Sequence, residues 1–188
     1  LKVHRAAEFF VSLLNNQPMG FYSPATLIQD ARRHGMRVRA PDVTISDWRC
    51  TVEDDHTIRL GLKQVRGVRE DNATRMLAAR AERPFASMED FQLRTTFSRA
   101  ERRALAAVGA LNALASHRRA ALWRAEEDFP EEDLFTHAAR VNDEESLAKA
   151  AASHRTPKEQ SASLDAPLAP MTRLERVQAD YAGMSLTT

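Results

Sequence analysis

Signals that begin and end helices recur along this chain of 188 residues and constrain its fold more than any other feature. Ser23-Pro24 is a typical helix start, because the serine oxygen can cap the first turn and proline suits the first helical position. Gly35 is a typical helix end. The segments Ser98–Glu101 and Thr172–Glu175 have the composition of a capping box, in which each side chain bonds the N–H group of the other residue. The chain is therefore predicted to be mainly α.

The spacing of apolar residues predicts the remaining elements. Two short runs, Trp48–Val52 and Thr57–Leu60, flank the polar turn Glu53–His56, which favours a small β-hairpin. Met36–Arg39 is a further candidate strand, and Ala138–Pro170 has the composition of a flexible linker with no sustained apolar period. The predicted helices cover residues 2–16, 24–34, 70–80, 88–91, 99–108, 118–127 and 173–182, with Gly183 expected just beyond the last one.

Charge is balanced overall but unevenly distributed. The formal net charge is +1, yet residues 57–124 hold 14 Lys or Arg against 6 Asp or Glu, and residues 125–145 hold one Arg against nine acidic residues. Such blocks are often only solvated helical faces. A motif inside the basic block is needed to favour a binding function.

The basic block contains a pattern of the helix-hairpin-helix kind, from Gly61 to Leu77. Gly67 lies at its turn, where the absence of a side chain lets a phosphate approach the backbone and the N–H groups that begin the next helix. Helix–Gly–helix turns also occur in purely structural hairpins, and Arg69 stands where DNA-binding hairpins often carry a second glycine. DNA contact and plain packing both stay open on these residues alone. The predicted contact residues of this turn are Lys63, Arg66, Gly67, Val68 and Arg69.

A second, weaker copy of the pattern follows in Phe97–Leu114, with Gly109 at its turn and Arg99 nearby. Two such copies usually pack as one unit, which would hold duplex DNA by phosphates of both strands without sequence preference. The predicted contact residues of the second copy are Arg102, Arg103, Gly109, Arg118 and Arg119.

Five segments of the chain resemble the bacterial C-family DNA polymerases, and the similarity is strongest to their error-prone, damage-inducible branch. The segments are Leu13–Pro24, Asp30–Gly35, Ile58–Gly67, Pro84–Phe91 and Arg102–Leu111. The Asn-Asn-Gln-Pro-Met-Gly-Phe-Tyr run within the first segment is the most specific of these matches. The similarity extends in order from residue 1 to about residue 123 and resumes over residues 171–186.

The resemblance implies a place for this chain within a longer enzyme. Residues 1–50 correspond to the end of the fingers region, and residues 51–125 to the tandem helix-hairpin-helix domain that binds duplex DNA. Residues 126–170 are not covered by the resemblance and are expected from their composition to form an acidic, low-complexity linker. Residues 171–188 correspond to the helix that leads into an oligonucleotide-binding-fold domain. The expected fold is thus mainly α, with fingers-end helices, a small β-hairpin, a tandem helix-hairpin-helix bundle, a flexible linker and one helix.

The resemblance also implies an activity, namely DNA-directed DNA synthesis in damage-induced mutagenesis and translesion synthesis. Palm aspartates that hold Mg²⁺ between the primer 3′-hydroxyl and the incoming triphosphate supply the chemistry in this family. The only adjacent aspartate pair here, Asp54-Asp55, lies on a predicted turn, and the six histidines lack metal-ligand spacing. The chain is therefore expected to have no catalytic or metal-binding residues, to need no cofactor of its own, and to be non-catalytic alone.

Glu131, Leu134 and Phe135 occupy the place where replicative relatives carry a motif that binds the sliding clamp. That motif prefers Gln where Glu131 stands, because an amide both donates and accepts hydrogen bonds. Weak or absent clamp binding, with recruitment by an accessory protein, is the expected result. Simple packing of Leu134 and Phe135 onto the domain is the alternative.

Composition excludes some classes of protein and leaves two other functions open. The apolar runs are too short to cross a bilayer, and the single cysteine, Cys50, suits a reduced, cytoplasmic setting. The alternatives to the error-prone polymerase are the same region of the replicative DNA polymerase III alpha subunit and a stand-alone helix-hairpin-helix scaffold.

Overall fold

The computed structural model describes residues 5–20, 22–126 and 169–185. The predicted mainly α fold is confirmed, since these residues form seven α-helices and one small sheet. The helices are α1 (Ala6–Asn15), α2 (Pro24–Arg33), α3 (Glu70–Glu82), α4 (Met88–Arg94), α5 (Arg99–Ala107), α6 (Arg118–Glu126) and α7 (Arg173–Met184). The strands are β1 (Arg37–Arg39), β2 (Thr51–Asp54) and β3 (Thr57–Arg59), and a 3₁₀ turn spans Leu62–Gln64.

The helix ends follow the local sequence signals. The Ser23 hydroxyl accepts a hydrogen bond from the Thr26 N–H group, and Pro24 occupies the first turn of α2. Gly35, with φ +79°, lies in the left-handed region just beyond that helix. Both predicted capping boxes form, at Ser98–Glu101 on α5 and at Thr172–Glu175 on α7. Each of these helices therefore begins where its capping residue stands.

The C-terminal end of α7 differs from the prediction. Gly183 was expected to follow the helix, but α7 continues through it to Met184, and Ser185 takes the left-handed conformation with φ +59°. A Cβ atom on Gly183 would lie 2.3 Å from Cγ1 of Val108. The glycine is needed for close packing of α7 on Val108 rather than for a helix end.

The strands form a sheet of order β1-β3-β2. The predicted hairpin is present, with β2 and β3 antiparallel and Val52 opposite Ile58. Its first strand lies at Thr51–Asp54 and not at the predicted Trp48–Val52, so the turn is shorter than expected. The third strand, β1, pairs in parallel with β3 and places Val38 opposite Ile58. Its pairing was not predicted, because β1 and β3 are separated by a loop and by β2 itself.

One continuous hydrophobic core runs through the described residues and receives side chains from every helix. Phe10 of α1 and Ile28 of α2 are fully buried at one end, and Leu105 of α5 at the other. Cys50 is also buried, and this burial raises the pKa of its thiol. Residues on both sides of the predicted boundary at position 50 thus share one core.

Some predictions concern residues outside this description. The residues proposed for clamp binding, Glu131, Leu134 and Phe135, lie outside the described residues, as does nearly all of the predicted linker. Among the helices that are described, none has the length and the apolar character that a membrane span requires.

Candidate nucleic-acid interface

The first hairpin has an open, exposed turn. The 3₁₀ turn leads to Gly67, which has φ +85°, and α3 begins at Glu70. Nothing lies within 4 Å of the point where a Cβ atom on Gly67 would stand. Leu62, Val65 and Val68 are buried beneath the turn. The turn is thus fixed to the core on one side and accessible to a ligand on the other.

Two cations flank Gly67, and both bind uncharged partners. The Lys63 Nζ atom donates to the Asn15 carbonyl oxygen at 3.2 Å. The Arg66 guanidinium donates to the Ala182 carbonyl oxygen at 3.4 Å and to the Ser185 hydroxyl. Among the described residues, no acidic side chain pairs with Lys63 or Arg66. Within the described part of the chain, their positive charges are therefore uncompensated beside the open turn.

Arg69 and Val68 play different parts in the same turn. The side chain of Arg69 is 70% exposed, and its Nε atom lies 3.4 Å from Oε1 of Glu101, so its charge is partly compensated. The Val68 N–H group donates to the Val65 carbonyl oxygen at 3.4 Å, and the Val68 side chain faces the core. Val68 can therefore shape the turn but offers no side chain to a ligand.

Glu101 is a buried carboxylate surrounded by donors. Its Oε1 atom accepts the Arg69 N–H group at 3.0 Å, and its Oε2 atom accepts the Ser98 N–H group at 2.9 Å. Asn72 Nδ2 donates to both oxygens, at 3.1 Å and 2.8 Å. Burial raises the pKa of Glu101, but hydrogen bonds from Ser98 and Arg69 outweigh burial and lower the pKa to about 2.

The second hairpin has a closed turn. Gly109, with φ +81°, follows α5, but it is buried, and a Cβ atom there would lie 2.7 Å from Nη2 of Arg118. Beyond Gly109 the chain forms successive turns, in which Asn112 N–H donates to the Gly109 carbonyl oxygen and Leu114 N–H to that of Leu111. The Arg118 side chain therefore occupies the space that a phosphate would need at this glycine.

Most cations predicted for the second hairpin have acidic partners. Arg118 is only 9% exposed, and its Nη1 atom donates to Oδ1 of Asp180 at 2.7 Å. Arg119 Nη2 lies 2.5 Å from Oε1 of Glu175. Arg118 thus lies inside the domain, and the Glu175 carboxylate compensates the charge of Arg119.

The two remaining cations, Arg102 and Arg103, lie on α5. Arg103 Nε lies 3.4 Å from Oε1 of Glu126, and Arg102 donates to the carbonyl oxygens of Phe97 and Ala125 at 3.2 Å and 3.4 Å. Glu126 also accepts Arg99 at 2.8 Å. Of the cations predicted to contact DNA, Arg103, Arg118 and Arg119 of the second hairpin thus have acidic partners, whereas Lys63 and Arg66 of the first hairpin have none among the described residues.

The structure adds Arg49 to the surface of the first hairpin. The Asp47 and Trp48 carbonyl oxygens accept the N–H groups of Leu62 and Lys63 at 3.0 Å and 2.9 Å. Arg49 follows directly, is exposed, and pairs with no acidic side chain of the described residues.

Gly61 allows this arrangement, because a Cβ atom at that position would lie 2.3 Å from the Arg49 carbonyl carbon. Asn15 also holds this loop in place. Its side-chain amide accepts the Cys50 N–H group at 2.8 Å and donates to the Cys50 carbonyl oxygen at 2.9 Å, and its backbone carbonyl oxygen accepts Lys63 Nζ. The Arg49 backbone therefore lies against Gly61, two residues before Lys63. We define the open-turn surface as Arg49, Lys63, Arg66 and Gly67.

No group of three His, Cys, Asp or Glu side chains in the described part of the chain is arranged to hold a metal ion. Asp54 lies on the exposed turn of the β-hairpin, where its carboxylate accepts the His56 N–H group at 2.8 Å. That bond holds the pKa of Asp54 below its ordinary value. Asp54 thus stabilises the turn of the β-hairpin through this hydrogen bond.

Comparison with known proteins gives two consistent results. The helix-hairpin-helix motif family matches residues 35–121, a span that contains Arg49 and both glycine turns. An error-prone DNA polymerase of Bordetella parapertussis is 46% identical over 149 residues, which make up 77% of this chain and 14% of that protein. The chain is homologous to one segment of the error-prone DNA polymerases.

Further error-prone DNA polymerases show similar identity. That of Azoarcus sp. is 47% identical over 147 residues, covering 73% of this chain and 14% of the relative. That of Aromatoleum aromaticum is 48% identical over 133 residues, covering 66% and 12%. The resemblance to the error-prone polymerases found in the sequence is confirmed, and the chain spans about one seventh of the length of these relatives.

Proposed function

We propose that this chain is the duplex-binding part of an error-prone DNA-directed DNA polymerase that acts in damage-induced mutagenesis and translesion synthesis. The open-turn surface carries the proposal, because it combines an accessible glycine turn with cations whose described partners are uncharged. The homology to error-prone DNA polymerases and the helix-hairpin-helix match support the same function.

Binding would act on the phosphates of DNA. The Gly67 backbone can approach a phosphate closely, while Lys63, Arg66 and Arg49 neutralise neighbouring phosphates and release their counterions. None of these contacts distinguishes one base from another, so binding is independent of sequence. The second hairpin acts mainly as a scaffold that supports the first, because its turn is closed by Arg118 and most of its cations are paired with acids.

The proposal for the whole protein is nucleotidyl transfer in the cytoplasm. Mg²⁺, when bound in the polymerase, would stabilise the charge that develops during transfer. The described residues of this chain do not fit such a site, because they contain no suitable cluster of ligands. The role of this chain is to hold the primer-template, and we expect the isolated chain to extend no primer.

Two partners besides DNA belong to the proposal. The sliding clamp would bind Glu131, Leu134 and Phe135 weakly or not at all, and an accessory protein would then recruit the polymerase. The names of the homologues favour the error-prone branch over the replicative one.

Sequence independence gives a direct test of the binding mode. Titration of the chain into two short labelled duplexes of unrelated sequence should give dissociation constants that agree within about twofold. A strong preference for one duplex would contradict binding through phosphates alone. The same titration at several salt concentrations should show affinity falling steeply as salt rises.

A further inference from the structure

We propose that Glu101 is the residue that positions the open turn of the first hairpin for DNA binding. The inference rests on the proposed function and adds a specific positioning residue to it. Glu101 belongs to α5 of the second hairpin, whereas the turn that it contacts belongs to the first.

The helix that follows the open turn has no cap of its own. Arg69 is the N-cap residue of α3, and its side chain makes no capping bond. Glu101 Oε1 takes that place and accepts the Arg69 N–H group at 3.0 Å. Because Gly67 lies only two residues before Arg69, this bond fixes the end of the turn that faces a phosphate.

The Glu101 carboxylate is itself held rigidly. Its Oε2 atom accepts the N–H group and the hydroxyl of Ser98, both at 2.9 Å, within the capping box of α5. Asn72 of α3 donates to both carboxylate oxygens, and the Thr96 hydroxyl donates to Asn72 Oδ1 at 3.1 Å. Glu101 is 3% exposed, so water does not compete for these bonds. One side chain thus caps helices of both hairpins and fixes one against the other.

The positioning role and a simple charge effect predict opposite results. Removal of one negative charge near a DNA-binding surface raises its positive potential and should strengthen binding. Loss of a positioning bond should weaken binding, because the turn then has to be ordered when DNA binds. The direction of the change in Glu101→Gln therefore separates the two effects.

The experiment compares Glu101→Gln with Glu82→Gln, which removes an equal charge at an exposed position at the end of α3. DNA affinity and its salt dependence are measured at a temperature below the thermal unfolding midpoint of every variant, and circular dichroism verifies that each variant is folded. Glu101→Gln should weaken binding about fivefold or more and reduce the salt slope by about 0.9, as one lost phosphate contact would. Glu82→Gln should bind as the wild type does, or slightly more tightly.

A second variant and a second measurement keep the test decisive. Glu101→Asp keeps the charge but shortens the reach of the carboxylate, so it should weaken DNA binding in the same direction even if Glu101→Gln fails to fold. Hydrogen exchange at the Arg69 amide should be about tenfold faster or more in Glu101→Asp, because the shorter carboxylate cannot reach that amide. In Glu101→Gln only one acceptor oxygen remains for the Arg69 and Ser98 N–H groups, so exchange should be faster at one of these two amides.

Two outcomes would overturn the proposal, and they differ in what they say of the hairpin. If the wild type binds DNA and the folded variants bind it equally well, Glu101 serves the fold only and the DNA-binding function stands. If the wild-type chain itself does not bind DNA, the proposed function and the role of Glu101 both fall.

Discussion

Asp180 and Arg118 form a buried ion pair that joins α7 to the start of α6, with Oδ1 of Asp180 lying 2.7 Å from Nη1 of Arg118. Arg118 also donates to the Val108 carbonyl oxygen at 3.1 Å, next to the closed turn at Gly109. About one turn further along α7, the Gly183 carbonyl oxygen accepts the Arg66 N–H group at 2.8 Å. The C-terminal helix therefore contacts both hairpins and is part of the domain.

Loss of the buried ion pair should destabilise the chain. Asp180→Asn leaves the Arg118 charge buried without its carboxylate, and the free energy of unfolding should fall by about 3–5 kcal/mol. Glu89→Gln is the matched control, because it breaks the more exposed pair with Arg124, at 3.0 Å, and should cost less than about 1 kcal/mol. Urea denaturation measures both, and equal losses would show that burial of the Arg118 pair has no energetic consequence.

The two turn glycines should respond differently to substitution. Both have positive φ, so alanine at either position should cost about 1–2 kcal/mol from backbone strain. Gly109→Ala should cost a further 1–3 kcal/mol or so, because its Cβ atom would displace the Arg118 guanidinium. A Cβ atom at Gly67 has open space around it, so Gly67→Ala should lose stability only through backbone strain. Gly67→Ala should also weaken DNA binding. Thermal unfolding and DNA titration of the two variants test this contrast, which fails if Gly67→Ala destabilises the chain as much as Gly109→Ala.

The buried Glu101 carboxylate should make stability depend on acid pH. Its pKa is lowered from an ordinary value of 4.5 to about 2, so its contribution is complete above about pH 5 and is lost as pH falls toward 2. The shift corresponds to about 3 kcal/mol of stability. Denaturation between pH 7 and pH 3 should show about 2 kcal/mol of this loss in the wild type.

Glu101→Gln is the control for the pH dependence, since it cannot titrate. Other carboxyls with lowered pKa contribute in the same direction, among them Glu175, whose carboxylate accepts the Thr172 N–H group. The variant should therefore be less stable at pH 7 and lose less on acidification, and an unchanged pH profile would contradict the assignment to Glu101.

Arg49 should contribute one phosphate contact. Arg49→Ala should weaken DNA binding and reduce the slope of log affinity against log salt by about 0.9. Arg32→Ala removes another exposed arginine, from the last turn of α2, and its slope should match that of the wild type. If the two variants behave alike, Arg49 lies outside the DNA-binding surface.

Local signals predicted the elements of this fold well. Capping residues such as Ser23 and Thr172 act within one helical turn, so their effect can be read from neighbouring residues. The β-hairpin was likewise predicted from its adjacent runs, whereas the parallel pairing of β1 depends on tertiary packing. The predicted end of α7 was wrong because Gly183 packs closely against Val108, a contact that the sequence does not show.

The candidate site was predicted less fully than the fold. Arg118 was expected to contact DNA, but its partner, Asp180, stands 62 positions later in the chain, and no local rule connects the two. Arg49 was missed because the loop that carries it packs on the hairpin through long-range bonds. Gly61 was the available signal, since a glycine next to a predicted strand can indicate close backbone approach.

The open turn of the first hairpin is proposed to hold DNA phosphates, and titration of Lys63→Glu/Arg66→Glu with a short labelled duplex tests this binding. The control is Arg32→Glu/Arg33→Glu, which makes the same change in charge on exposed residues of α2. The wild type should bind with a dissociation constant of about 10⁻⁴ to 10⁻⁶ M and a salt slope near −3.6, as about four phosphate contacts give. The Lys63/Arg66 reversal should weaken binding and bring the slope to about −1.8, while the control keeps the wild-type slope. Equal weakening by both variants, or an unchanged slope in the reversal, would contradict the claim.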